Sequence, residues 1–342
     1  MMPDPLRYWL ALHPDVKRPI GGVKQMHRLA ESLRRFGREA TIIQDQSDFH
    51  PGWFASDVAT ISQQRWRALL PELRSDRDVV VLPETFLSVF EAYAPGLPKI
   101  LFNQNGAYSF GGAGGSSFPD PAKVLELYRH PELIHVLCVS QHDQQLLERA
   151  FGLGDDRVSR LVNGLETALF HPGGSKRRRI AYMPRKNPSD SAVVSALLKQ
   201  QSWFHGWELV PIHKLPQSEV AAILQQSLLF LAFGHPEGFG LPVAEALACG
   251  CAVAGYSGLG GRELFQLAQE QGVGLEVGFG DWLGFVDAAS ALHHSLHKNQ
   301  SSVLNALLRT SKLVRSRYSM DAMQHSVGAA LQRWEAAFPA HA

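Results

Sequence analysis

The chain has 342 residues, more than one core comfortably serves and enough for two domains of ordinary size. Apolar residues make up 45% and charged ones 19%, so the chain is globular rather than disordered, and a net charge of +1 gives no basis for bulk nucleic-acid binding. The three cysteines, Cys138, Cys249 and Cys251, form no paired metal motif, and an odd count argues against a disulfide framework, so a reducing, cytoplasmic compartment is expected.

The first dozen residues carry an acid and two prolines where an export signal needs an apolar run. No stretch is apolar and long enough to cross a bilayer, so membrane contact is expected to be peripheral at most, at the inner surface. Arg7–His13 reads as a buried strand, Gly21-Gly22 opens a helix from Val23 to Phe36, and Glu39–Gln44 returns as a strand, which together make a βαβ unit. Arg28, Arg34, Arg35 and Arg38 are expected to form a solvated helix face rather than a lipid-binding patch.

Asp78–Pro83, Lys99–Gln104 and Val136–Ser140 follow as strands with helices between them. Strands joined by helical crossovers imply a parallel sheet whose sites lie at the carboxyl ends, where Glu84, Asn105 and Ser140 fall. Asp76 and Asp78 have the spacing of a metal-binding acidic pair but precede their strand, so they read as a solvated connection. The glycine-dense Phe110–Ser117 reads equally as a mobile lid or a connector.

Glycine and proline in His171–Ser175 mark a hinge, with the domain boundary near Pro172. The triple arginine 177–179 reads as a solvated entrance to the short strand Ile180–Met183, which ends in Pro184-Arg185-Lys186. Glu208–Pro216 then gives a strand and a loop carrying His213, Lys214 and Leu215. A helix from Ser218 to Gln226, a strand Leu228–Phe233 and the stretch His235–Glu263 follow. Helices are expected at Trp282–Lys298, Ser302–Tyr318 and Asp321–Phe338.

In the stretch His235–Glu263, Gly238 and Gly240 interrupt an apolar run just before Pro242, and a helix-forming segment from Val243 follows. Proline in a first helical turn costs no hydrogen bond, and glycine lets backbone approach a ligand closely. Free N–H groups around Leu241 to Ala244, with the helix dipole behind them, suit an anion, above all a phosphate. Glu237 and Glu245 could reach one small ligand from two sides, and a carboxylate suits the cis-diol of a ribose. Cys249 and Cys251 read as packed small residues.

The run Glu237–Val253 resembles the signature of two glutamates eight residues apart found in retaining GT-B glycosyltransferases, in particular glycosyltransferase family four (glycosyl transferases group one). Val139–Phe170 and the final helix are similar to that family too. The resemblance implies an α/β protein of GT-B architecture, with two Rossmann-like doubly wound domains facing across a cleft. Residues 1–171 would form the acceptor-side domain, 172–320 would bind the nucleotide sugar, and 321–342 would cross back onto the first domain. It implies a hexosyltransferase that moves a sugar, UDP-glucose being the first choice of donor, to a hydroxyl of a glycan or lipid-linked acceptor, with retention.

By the same resemblance Glu237, Arg185 and Lys186 are the catalytic candidates, although the family's Arg and Lys are commonly several residues apart. Fixed cations there would steady the leaving pyrophosphate more in the transition state than in the ground state. The donor-binding candidates are Gly21, Gly22, Asn105, His213, Lys214, Leu215, Gly238, Phe239, Gly240, Leu241 and Glu245. No cofactor and no metal is expected. The departing phosphate would itself take the acceptor proton in a front-face mechanism. Where the family often has a histidine, this chain has Asn103-Gln104-Asn105-Gly106, whose amides can bond a hydroxyl but cannot act as a base. A non-catalytic sugar-nucleotide sensor or partner subunit is the alternative, and a GT-B sugar-nucleotide epimerase ranks below it.

Overall fold

The computed structural model describes residues 6–111, 120–298, 300–336 and 338. The glycine-dense stretch beyond Gly111, read as a lid or connector, lies outside them. Two compact units emerge, one of residues up to Val162 together with those from Met323, the other of Asn163–Ala322.

The first unit alternates strand and helix through β1 (Arg7–Ala11), α1 (Gly21–Arg35), β2 (Glu39–Gln44), β3 (Ala59–Ser62), α2 (Gln63–Leu69), β4 (Asp78–Pro83), β5 (Lys99–Asn103), α3 (Pro121–Leu127), β6 (Leu133–Cys138), α4 (Gln141–Gln145) and β7 (Val158–Arg160). Its seven strands are all parallel, in the order β3-β2-β1-β4-β5-β6-β7. Every residue of β4 and β5 is buried, as expected of central parallel strands covered on both faces. Helix α1 buries Met26, Leu29, Ala30 and Leu33 on one stripe, the 3.6-residue spacing that binds a helix to a sheet.

Asp78 corrects the solvated reading. It is fully buried, and its carboxylate accepts from Arg7 at 2.8 Å, from the Trp9 indole at 2.8 Å and from the Arg74 backbone at 2.9 Å. Of the arginines read as a solvated face, Arg34 and Arg35 are exposed, Arg34 beside Asp57, whereas Arg28 and Arg38 are half-buried and pair with Glu31 and Glu335.

The second unit runs through β8 (Arg177–Tyr182), α5 (Pro188–Lys199), β9 (Glu208–Pro211), α6 (Gln217–Gln226), β10 (Ser227–Ala232), α7 (Leu241–Ala248), β11 (Ala252–Gly255), α8 (Arg262–Glu270), β12 (Gly274–Glu276), α9 (Trp282–Lys298) and α10 (Gln300–Arg317). Its parallel sheet has the order β12-β11-β10-β8-β9. Lys176, just before β8, caps two helix ends, donating to Leu224 O, Ser227 O and Cys249 O at 2.7–3.1 Å. All three cysteines are buried, and none is in a disulfide.

The sequence puts the domain break after His171, whereas the structure puts it after Val162. The reason is local: the Leu165 N–H donates to Tyr318 O at the end of α10, and both Leu165 and Phe170 are buried. A last helix, α11 (Met320–Ala336), lies from Met323 onward on the first unit. There the Trp334 indole donates to Tyr8 Oη at 2.8 Å, Tyr8 donates to Glu335, and Ser326 Oγ accepts from Val162 N.

Candidate active site

Strand β10 delivers the chain into the loop Phe233–Gly240, which turns directly into α7. Gly240 has φ +86°, a left-handed conformation open to glycine at little cost, and Pro242 occupies the first helical turn. Among the described residues the N–H groups of Gly238, Phe239, Gly240 and Leu241 meet no acceptor. They stand at the positive end of α7 and can bind an anion.

Two neighbours fix this loop. From β8, Asn187 Nδ2 donates to Phe233 O at 2.6 Å and to His235 O at 3.2 Å, and Lys186 Nζ donates to Pro236 O at 2.5 Å. From β11, the segment Ser257–Gly261 lies underneath: Glu237 N donates to Gly258 O at 2.8 Å, and Gly260 N to Glu237 O at 3.0 Å. A Cβ on Gly260 would stand 2.0 Å from Gly238 O, so the contact requires glycine. Neither Asn187 nor this glycine buttress is among the residues picked out from the sequence. The close spacing of Gly258, Gly260 and Gly261 was the available signal.

Arg185, Lys186, Glu237, Gly240, Pro242 and Tyr256 line one small hollow of about 50 Å³. Lys186 Nζ and Glu237 Oε2 are 3.1 Å apart, with side chains only 16% and 20% exposed, so this ion pair is partly shielded from water. Arg185 is exposed. His235 stacks on Phe279 with ring centroids 4.2 Å apart, and its burial, then the nearby Lys186 charge, hold its pKa below the ordinary histidine value. A larger open depression, on the first unit between Arg34, Arg35 and Asp57, contains none of the motif residues.

The remaining candidates are spread more widely. Glu245 is buried in α7 at 8% exposure and does not line the hollow with Glu237. His213, Lys214 and Leu215 form the loop after β9, next to the end of β8 through the Ile212 N to Tyr182 O bond; His213 and Lys214 are exposed. Gly21, Gly22 and Asn105 belong to the first unit.

There they gather at the carboxyl edge of the sheet. Gln104 Nε2 donates to Gly22 O at 3.2 Å, and a Cβ on Gly22 would meet the Gln104 amide at 3.2 Å. Asn105, expected to reach a sugar, is buried, and its Oδ1 accepts from Ala107 N and caps a short 3₁₀ turn. Glu84 Oε2 accepts from Gln104 N at 3.0 Å; complete burial pushes its pKa up to about 8 against the pull of these backbone donors. Asp143 Oδ2 accepts from Gly106 N at 3.3 Å, and burial raises its pKa too. Among the described residues no three His, Cys, Asp or Glu side chains form a metal-binding group.

Two parallel-sheet units, a terminal helix returning to the first and a glycine loop feeding α7 are the features of a GT-B glycosyltransferase fold. Residues 200–300, which include that loop and lie within the second unit, match the family model described as Glycosyl transferases group 1. The chain is 24% identical over 216 residues to an alpha-1,6-glucosyltransferase of Actinobacillus pleuropneumoniae serotype 7, a match spanning 61% of this chain and 60% of that protein. Among solved structures it is similar to a glycosyltransferase from Rickettsia africae, with a TM-score of 0.71 and 13% identity over 99% of this chain and 100% of that one. It is similar also to Anabaena HepE in complex with UDP-glucose, with a TM-score of 0.68 and 12% identity over 96% and 99%. At such identities these two structures speak for the fold.

Proposed function

We propose that this protein transfers a glucosyl unit from UDP-glucose to a hydroxyl of a glycan or lipid-linked acceptor, with retention at the anomeric carbon. One observation carries the reading: the Lys186–Glu237 ion pair and Arg185 share a hollow with Gly240, at the mouth of α7 where four consecutive backbone N–H groups lack acceptors. The amides and the two cations would bind the diphosphate and steady the charge that gathers on it as its bond to the sugar breaks. Glu237 would orient the sugar, and Glu245 would hold the ribose hydroxyls. The departing phosphate would take the acceptor proton.

The glucosyltransferase name of the Actinobacillus relative and the UDP-glucose bound to HepE support the choice of donor. The reading uses no metal and no cofactor. No described helix is long and apolar enough to cross a membrane, which suits a cytoplasmic enzyme with at most peripheral contact at the inner membrane surface.

The test is turnover of UDP-glucose against a panel of methyl glycosides, with and without chelator, following UDP release and the anomeric proton of the product. An α-linked product formed equally well in chelator supports the reading. UDP binding without any turnover points instead to a sugar-nucleotide sensor or partner subunit, and a β-linked product contradicts retention.

A further inference from the structure

We infer that His142, held by Asp143, binds a hydroxyl group of the acceptor sugar at the carboxyl edge of the first unit's sheet; this rests on the glycosyltransferase reading above. Asp143 is 2% exposed, and its two oxygens have separate tasks. Oδ2 accepts the Gly106 N–H at 3.3 Å, and Oδ1 stands 3.2 Å from His142 Nδ1. Ser140 Oγ accepts the Asp143 N–H at 3.1 Å and fixes the start of α4. Gly106 packs tightly on this group, since a Cβ there would lie 2.6 Å from the Leu146 side chain and 3.3 Å from Asp143 Oδ1. One carboxylate thus joins His142 to the loop Asn103–Gly106, the position at which the sequence lacks a histidine.

A carboxylate on Nδ1 places the ring proton there and leaves Nε2 as a hydrogen-bond acceptor. The His142 side chain is 30% exposed while Asp143 behind it is 3% exposed, so the imidazole is the part of the pair open to a ligand. Each neighbouring amide already has a partner within the protein. Asn103 Nδ2 donates to Tyr128 and Ser109, Asn105 Oδ1 accepts from Ala107, and Gln104 Nε2 donates to Gly22. Glu84, on the far side of the loop, holds the Gln104 N–H and is close enough to Asp143 for the two carboxyls to feel each other's charge. A ring nitrogen beside rigid backbone suits a sugar hydroxyl, and with the departing phosphate taking the reacting proton, the task left for His142 is orientation.

The test combines steady-state kinetics, using UDP-glucose and methyl glucosides, galactosides and N-acetylglucosaminides, with calorimetric titration of UDP. His142→Ala should raise the acceptor KM about tenfold while leaving donor KM and UDP affinity unchanged. His142→Gln, whose amide oxygen can accept the same hydroxyl, should recover most of that loss, and Asp143→Asn should fall between. In protein labelled with ¹⁵N-histidine, the His142 Nε2 resonance should shift when the preferred glycoside is added. The inference is overturned if His142→Ala keeps its acceptor KM within about twofold, if donor KM rises equally, or if no glycoside is either turned over or moves that resonance. Loss of UDP binding by the wild-type protein would sink the glycosyltransferase reading, and this inference with it; calorimetry detects that case separately.

Discussion

Glu84 closes β4 with a carboxyl that burial pushes from 4.5 up to about 8. Between those values the folded protein holds a proton that the unfolded chain releases, so stability should fall as pH rises through that window. Glu84→Gln keeps an oxygen for the Gln104 N–H but cannot ionise. Urea melts from pH 5 to pH 8 should show a shallower decline for this variant than for the wild type, the remainder coming in part from Asp143, whose pKa is raised too. Equal slopes would contradict the burial argument. Glu84, Asn105 and Ser140 were legible as strand-end residues because parallel topology alone predicts which edge carries chemistry. Their partners were not. Asp78 reads as a solvated acid until Arg7 and Trp9 arrive from 71 and 69 residues away, and nothing local announces that.

At the scale of elements, the turn from β10 into α7 was readable because its signals are local: two glycines, a proline in the first turn and a helix-forming run. The buttress under it was hidden because it depends on a contact between Gly238 and Gly260, which only the packed sheet brings together. Gly260→Ala tests it. The added methyl must displace the Glu237–Gly240 loop, so UDP affinity should fall at least about tenfold while the far-UV circular dichroism stays native; unchanged affinity would show that the loop does not shape the donor site. Lys176 teaches the same lesson in reverse. It stands beside three arginines that read as a solvated strand entrance, yet its ammonium ties together the carboxyl ends of α6 and α7.

On the scale of the whole molecule, two sheets account for the length of the chain, and α11 makes its last turns part of the first unit. Trp334 is 1% exposed and anchors that helix through Tyr8. Trp334→Ala should cost about 3–5 kcal/mol, read from urea denaturation, and a loss below about 1 kcal/mol would mean that α11 is a loose tail. A terminal helix packed on the first domain was an expectation from the family resemblance, not from the amphipathic pattern, which requires a buried stripe without saying against what. The break after Val162 was not foreseen, since it depends on Leu165 binding the backbone of Tyr318.

The most direct test of the donor site is calorimetric titration of UDP, GDP and dTDP into the protein and into Glu245→Ala, with circular dichroism confirming that the variant folds. The account predicts that UDP binds with or without chelator. It also predicts that losing the carboxylate's bonds to the ribose costs about 1.5–3 kcal/mol, a fall in affinity of roughly ten- to a hundredfold. Equal UDP affinity in a folded Glu245→Ala, or no nucleotide bound by the wild type, would contradict it.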